Sequence, residues 1–339
     1  MGQKVIVHRK NSRLKAPLVS VILLDWTVRE RFYALDWLNQ QDAPRDEYEL
    51  MWIELYDRVV PEAMEKADVV ITCNQKGVSS RHQGCNIGYL HARGQVVTYC
   101  DSDAVFPPNF ISSIIKSFNP DGSGELQSLV LMHDEYRNTR VPYPDGISSI
   151  DAVRSYSWLP LWKNAGACNS FLKRDAIRFG GWDEHRSFRG ESGGGELTWR
   201  LLNAGLPQIW HDDSVALYHF AHPHPEGYER FPFSLKRWRE LVTPRLHGTP
   251  IYSVESFATG RLLPLKENPE IHKARMSLRT IGSEGESVIG NLPIAVTGFT
   301  RIQKVKMYLK FYKYKLSVLL KFGIWGGGLR ITRALFRQS

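Results

Sequence analysis

The sequence predicts an α/β fold: a mostly parallel, doubly wound sheet flanked by helices, followed by an amphipathic helical tail. Three observations lead there. Short apolar runs alternate with helix-period segments over the first 130 residues, an acid pair follows directly on one of those runs, and residues 301–339 hold ten Lys or Arg and no acid.

The first apolar run, "LVSVILL" (18–24), reads as a buried strand, and Phe32, Leu35 and Leu38 then recur at helical spacing between Arg29 and Gln41. "YELMWIEL" (48–55) and "ADVVITC" (67–73) read as further strands. In "SSRHQGCNIGYLHARG" the residues Cys85, Ile87, Leu90 and Ala92 fall near one helical face, and Gly94 supplies a C-terminal stop. "QVVTYC" (95–100) is the next strand, Pro107 and Pro108 open a helix over "NFISSIIKSF", and "LQSLVLM" (126–132) is a strand after the turn-rich "NPDGSG". The stretch 140–235 is less regular, with a helix expected from Glu196 to Ala204. No internal repeat is evident.

At 339 residues the chain has ample apolar material for a buried core. Its four cysteines (Cys73, Cys85, Cys100, Cys168) lack CxxC spacing, so they point to neither a zinc site nor a disulfide framework, and a reducing compartment is expected. The N-terminal residues carry no signal-peptide pattern, and Ile6 stands where a myristoylation signal needs Ser or Thr. No uncharged apolar run reaches the 18 residues of a membrane span. The formal charge of +9 is a property of the tail, whose ten cations exceed it; nucleic acid is therefore not an expected partner.

"GQVVTYCDSDAVF" places Asp101 and Asp103 just past a predicted strand, where ligands gather in open α/β sheets. If the extended geometry persists, the two side chains share a face. Two carboxylates about 5 Å apart repel by about 3 kcal/mol at an effective dielectric of about 20. A divalent cation reverses that cost, since Mg²⁺ or Mn²⁺ takes carboxylate oxygens and fills its other positions with water and phosphate.

In these pieces the chain resembles the family 2 glycosyltransferases of GT-A fold, over about residues 17–225. The pieces stand in family order: "VSVILLDW", "YELMWIEL", "NQKGVSSRHQGCNIGYLHARGQVVTYCDSD" and "FGGWDE". The resemblance implies a Rossmann-like sheet and a nucleotide-sugar donor bound through Mn²⁺ or Mg²⁺ on Asp101 and Asp103. It places Glu54 near the base and ribose and Asp25 and Trp26 in the loop bordering the base, and it matches Asn86 and Gly88 to an Asn-x-Gly of the helix. Where the family has Pro-Thr-Tyr-Asn this chain has Leu24, Asp25, Trp26, Thr27, and "ELYD" replaces Asp-Asp-Gly-Ser, so its base contacts are expected to differ.

Glycosyl transfer to a hydroxyl needs a general base near the acceptor oxygen. The family's Glu-Asp pair corresponds to Glu191 and Ser192, so the usual Asp is missing. Glu191 is the first candidate base, Glu196 the second and Asp183 the third. Glu196 also reads as an ordinary acid at a helix N-terminus. A late-strand histidine often completes the metal shell in this fold; His219, after "SVALY", matches best, and His222 is the alternative. Imidazole suits Mn²⁺ better than Mg²⁺.

In the tail, Ile302, Val305, Leu309, Tyr312, Leu316 and Leu319 form an apolar stripe, with lysines and aromatics around it. An anionic membrane surface is the expected partner; packing on the catalytic domain or a second copy is the alternative. The expected organisation is a catalytic domain over 1–235 (donor half about 17–130, acceptor half about 131–235), a lid, linker or subdomain over 236–300, and the tail over 301–339. The expected protein is an inverting hexosyltransferase on the cytoplasmic membrane face, acting on a lipid-linked or envelope glycan. Alternatives are a retaining enzyme, a glycan-binding scaffold of the same fold, or a sugar nucleotidyltransferase, the last disfavoured because no Gly-rich phosphate loop follows the first strand.

Overall fold

A computed structural model describes residues 5–10, 16–25, 29–73, 81–156, 158–160, 168–178, 181–182, 197–198, 201, 206–211 and 213–222, with the backbone of 252–254 and 262–264. In chain order the elements are β1 (Ile6–Lys10), β2 (Val19–Asp25), α1 (Tyr33–Leu38), β3 (Tyr48–Glu54), α2 (Pro61–Lys66), β4 (Val69–Thr72), α3 (Arg81–His91), β5 (Val96–Asp101), β6 (Ala104–Val105) and α4 (Phe110–Phe118). Then follow β7 (Val130–Met132), β8 (Glu135–Pro142), α5 (Ile150–Arg154), β9 (Leu159–Pro160), β10 (Cys168–Leu172), α6 (Lys173–Arg178), β11 (Gln208–Trp210), β12 (Leu217–Ala221), β13 (Tyr252–Val254) and β14 (Leu262–Pro264).

The main sheet has eight strands in the order β1-β4-β3-β2-β5-β10-β7-β11. Its centre, β4-β3-β2-β5, is parallel, as the alternation of apolar runs and helices predicts. β1 joins one edge antiparallel, and β10 runs antiparallel between β5 and β7. A second sheet, β6-β12-β8-β9, has β12 parallel to β8 and antiparallel to β6. β13 and β14 form a separate antiparallel hairpin.

β2 is buried along its whole length because both faces of the sheet are covered, which is why its sequence is a continuous apolar run rather than an alternating one. Val19, Val21 and Leu23 face a core containing residues of α1 and α4, whereas Ile22 and Leu24 face a core containing residues of α3 and α6. α3 lies tight on the second face: a Cβ at Gly88 would stand 2.6 Å from Ile22 Cγ2. That close approach accounts for the glycine without any ligand.

The helix expected over 29–41 is confined to Tyr33–Leu38. At its end the Leu35 carbonyl accepts both the Asn39 amide, at 3.0 Å, and the Asn39 side chain, at 2.9 Å. The strand expected over 126–132 begins at Val130, because the Gln127 amide is spent on the Phe118 carbonyl at 2.9 Å. Of the helix expected over 196–204, Leu197, Thr198 and Leu201 are described, helical and buried; the rest of it, the 236–300 segment apart from the backbone of its two short strands, and the 301–339 tail lie outside the described residues. All four cysteines are buried and outside any disulfide; Cys100 and Cys168 face each other across β5 and β10 with their sulfurs 2.9 Å apart.

Candidate active site

Three parallel strands end in acids at the same edge: Asp25 closes β2, Glu54 closes β3 and Asp101 closes β5. Beyond Asp101 the chain turns at Ser102 and Asp103 before entering β6. Extended geometry therefore does not persist across the pair, and the two carboxylates face different partners. Asp101 Oδ1 accepts from the Arg81 guanidinium, and its Oδ2 lies 3.8 Å from Arg137. Asp103 Oδ2 lies 2.7 Å from Arg29, 2.7 Å from His219 Nε2 and 3.0 Å from His222 Nε2.

Asp103, His219 and His222 offer ligand atoms that all lie within 4.8 Å of one another; Asp101 is not in that group. An octahedral ion with bonds of about 2.1 Å sets neighbouring ligand atoms about 3 Å apart, close to the separations from Asp103. Two imidazoles and a carboxylate suit Mn²⁺ and other first-row ions better than Mg²⁺. Asp103 is 1% exposed, and its Oδ1 is buried without a hydrogen-bond partner, a lone-pair site available to a cation. The donor set fits a divalent metal. Among the described residues, His219 stands mid-strand in β12 rather than at a strand end.

The second sheet brings in residues that the sequence pattern did not single out. Glu135, the first residue of β8, lies 3.3 Å from His219 Nδ1 and 3.4 Å from Arg137. Three acids (Asp101, Asp103, Glu135) thus meet three arginines (Arg29, Arg81, Arg137), and the repulsion between the aspartates is offset within the protein. Burial raises the Asp101 carboxyl above its ordinary value against the pull of Arg81. Asp103 goes the other way: burial opposes ionisation, but Arg29 and His219 hold its carboxyl well below the usual range. For His219, burial disfavours the charged ring, yet Asp103 raises its pKa to about 9. Glu135 carries only a weaker form of the signal that marked Asp101, standing two residues after His133 and next to Asp134 past the apolar run "LVLM"; the arginines are scattered through the chain with no such mark.

Asp25 and Glu54, expected near the base and ribose, are adjacent across β2 and β3 and fully buried. Arg58 bridges them, 2.8 Å from Asp25 Oδ2 and 3.9 Å from Glu54 Oε2. Asn86 lies elsewhere: its Nδ2 donates to the Trp182 carbonyl and its Oδ1 accepts from the Trp182 amide, both at 2.9 Å. Trp26, Asp183, Glu191 and Glu196 lie outside the described residues.

No protein-family profile matches the chain, and no curated protein is similar to it in sequence. Solved structures similar to it include glycosyltransferases. S. aureus TarS 1–349 in complex with UDP-GlcNAc has a TM-score of 0.45 and 13% identity, over 62% of this chain and 61% of that one. S. aureus TarS has a TM-score of 0.44 and 14% identity, over 61% of this chain and 37% of its own. The mannosyltransferase PcManGT from Pyrobaculum calidifontis, in complex with GDP-Man and Mn²⁺, has a TM-score of 0.42 and 13% identity, over 83% of this chain and 78% of its own. The chain thus spans less than two thirds of either TarS chain.

Proposed function

We propose that this protein is a metal-dependent glycosyltransferase that moves a sugar from a nucleotide-diphosphate donor to an acceptor hydroxyl, with inversion, on a lipid-linked or envelope glycan. The observation that carries the reading is the convergence of Asp103, His219 and His222 at the carboxyl edge of a parallel sheet. The sequence resemblance to family 2 glycosyltransferases supports it.

In this reading Asp103, His219 and His222 hold Mn²⁺ or Mg²⁺, and Asp101 organises the adjoining arginines. The bound ion supplies counter-charge to the departing diphosphate. Arg81 and Arg137, whose side chains are 26% and 34% exposed, add positive charge beside the same position. Asp25, Trp26 and Glu54 border the nucleoside. Glu191, or failing it Glu196 or Asp183, accepts the proton of the acceptor hydroxyl.

The test is thermal unfolding of the full chain with UDP or GDP, with and without Mn²⁺, alongside release of nucleoside diphosphate in the presence of acceptor. Wild type is expected to gain stability from nucleotide only with the metal, and H219A and H222A to lose that gain. Stabilisation by nucleotide that ignores Mn²⁺, or an unchanged response in H219A, would remove the metal from the proposal. E191Q and E196Q assayed separately address the base, and full transfer in both would eliminate those two acids from that role.

A further inference from the structure

β8 and β12 run parallel, with Glu135 opposite Leu217 and Arg137 opposite His219. This register sets the Glu135 carboxylate against the side of the His219 ring that faces away from Asp103. The two ring nitrogens consequently meet two different acids: Nε2 is 2.7 Å from Asp103 Oδ2, and Nδ1 is 3.3 Å from Glu135 Oε1. Glu135 is 1% exposed, and both Oε1 and Nδ1 are buried and lack a well-aligned hydrogen bond. A small rotation of either side chain converts their contact into a hydrogen bond, and neither atom has another use among the described residues.

A metal-bound imidazole commonly donates its second ring N–H to a carboxylate, which fixes the tautomer and increases the basicity of the ligating nitrogen. We propose that Glu135 is a positioning residue that holds the Nδ1–H tautomer of His219 and aims Nε2 at a divalent cation shared with Asp103 and His222. This rests on the metal-site reading above. It also accounts for a carboxylate buried in the second sheet: Arg137 at 3.4 Å offsets its charge from one oxygen and leaves the other for the ring. Without Glu135 the neutral ring is free to carry its proton on Nε2, where it would block ligation.

Mn²⁺ titration of the full chain, followed by the electron paramagnetic resonance signal of free Mn²⁺, tests the inference. E135A is expected to weaken Mn²⁺ binding about ten- to hundredfold. E135Q, which keeps the shape but not the charge, is expected to weaken it at least about threefold. Metal-free thermal unfolding identifies a variant that has failed to fold, and E135Q then serves alone. The effect should act through His219, so E135Q added to H219A should change the residual affinity little, whereas added to H222A it should retain its full effect. A folded variant that binds Mn²⁺ within about twofold of wild type, or an effect of E135Q that persists undiminished in H219A, would overturn the role of Glu135 while leaving the metal site standing. Absence of Mn²⁺ binding by wild type would overturn the metal site and this inference together.

Discussion

Asp175 shows how one buried carboxyl sets a pH dependence. It is 0% exposed in the first turn of α6, and burial raises its pKa to about 6, with Arg174, Ser128 and Arg178 only partly offsetting the cost. The folded state therefore binds this proton more tightly than the unfolded chain, so stability falls as pH rises from about 4 through about 6. D175N removes the charge and is expected to stabilise the protein by about 3 kcal/mol at pH 8, with the gain shrinking to about 1 kcal/mol at pH 4.5. Urea unfolding at the two pH values measures it; an equal effect at both would mean that the benefit does not come from the proton. At the candidate site the residue scale was half legible. Asp103 and His219 follow strand-pattern signals and resemblance, whereas Arg29, Arg81 and Arg137 do not, because an arginine in a sequence carries no mark of the acid it will meet.

At the scale of elements, α3 is tied to the chain at Gly181 and Trp182 by the side chain of one residue. Asn86 satisfies both the amide and the carbonyl of Trp182, and Gly181 adopts φ +68°, a left-handed conformation that favours glycine. N86A strands two backbone groups in the core and is expected to cost about 3 kcal/mol. G181A strains the backbone and would place a Cβ 2.4 Å from Asn86 Oδ1, so it should destabilise in the same direction. Denaturant midpoints check both, and a loss of Mn²⁺ binding by N86A with unchanged stability would show instead that Asn86 serves the donor site. The Asn-x-Gly pattern was readable in the sequence, but the physical use of both residues was not. The glycine permits contact with Ile22, and the asparagine binds backbone 96 residues away.

For the whole molecule, the positive charge concentrated in residues 301–339 is the feature to test. No helix among the described residues is long and apolar enough to cross a membrane. Attachment at the inner face of the cell membrane is proposed to come from the tail, with each engaged Lys or Arg contributing about 1 kcal/mol near an anionic leaflet. Deleting 301–339 should release the protein from phosphatidylserine vesicles in a sedimentation assay, and added salt should do the same to the full chain. Retention of the truncated protein would place membrane affinity elsewhere.

The sequence by itself determined the parallel centre of the sheet, because strands buried on both faces must be continuously apolar and the intervening helices must be amphipathic. It also located the acid pair at the end of β5. Only the tertiary structure decided which groups those acids meet. The turn at Ser102 sends Asp101 toward Arg81 and Asp103 toward His219 and His222, and the pairing of β8 with β12 brings Glu135 to the far side of the imidazole. The contacts of His219 and His222 depend on strand register and turn geometry between segments more than 80 residues apart, which local periodicity does not encode.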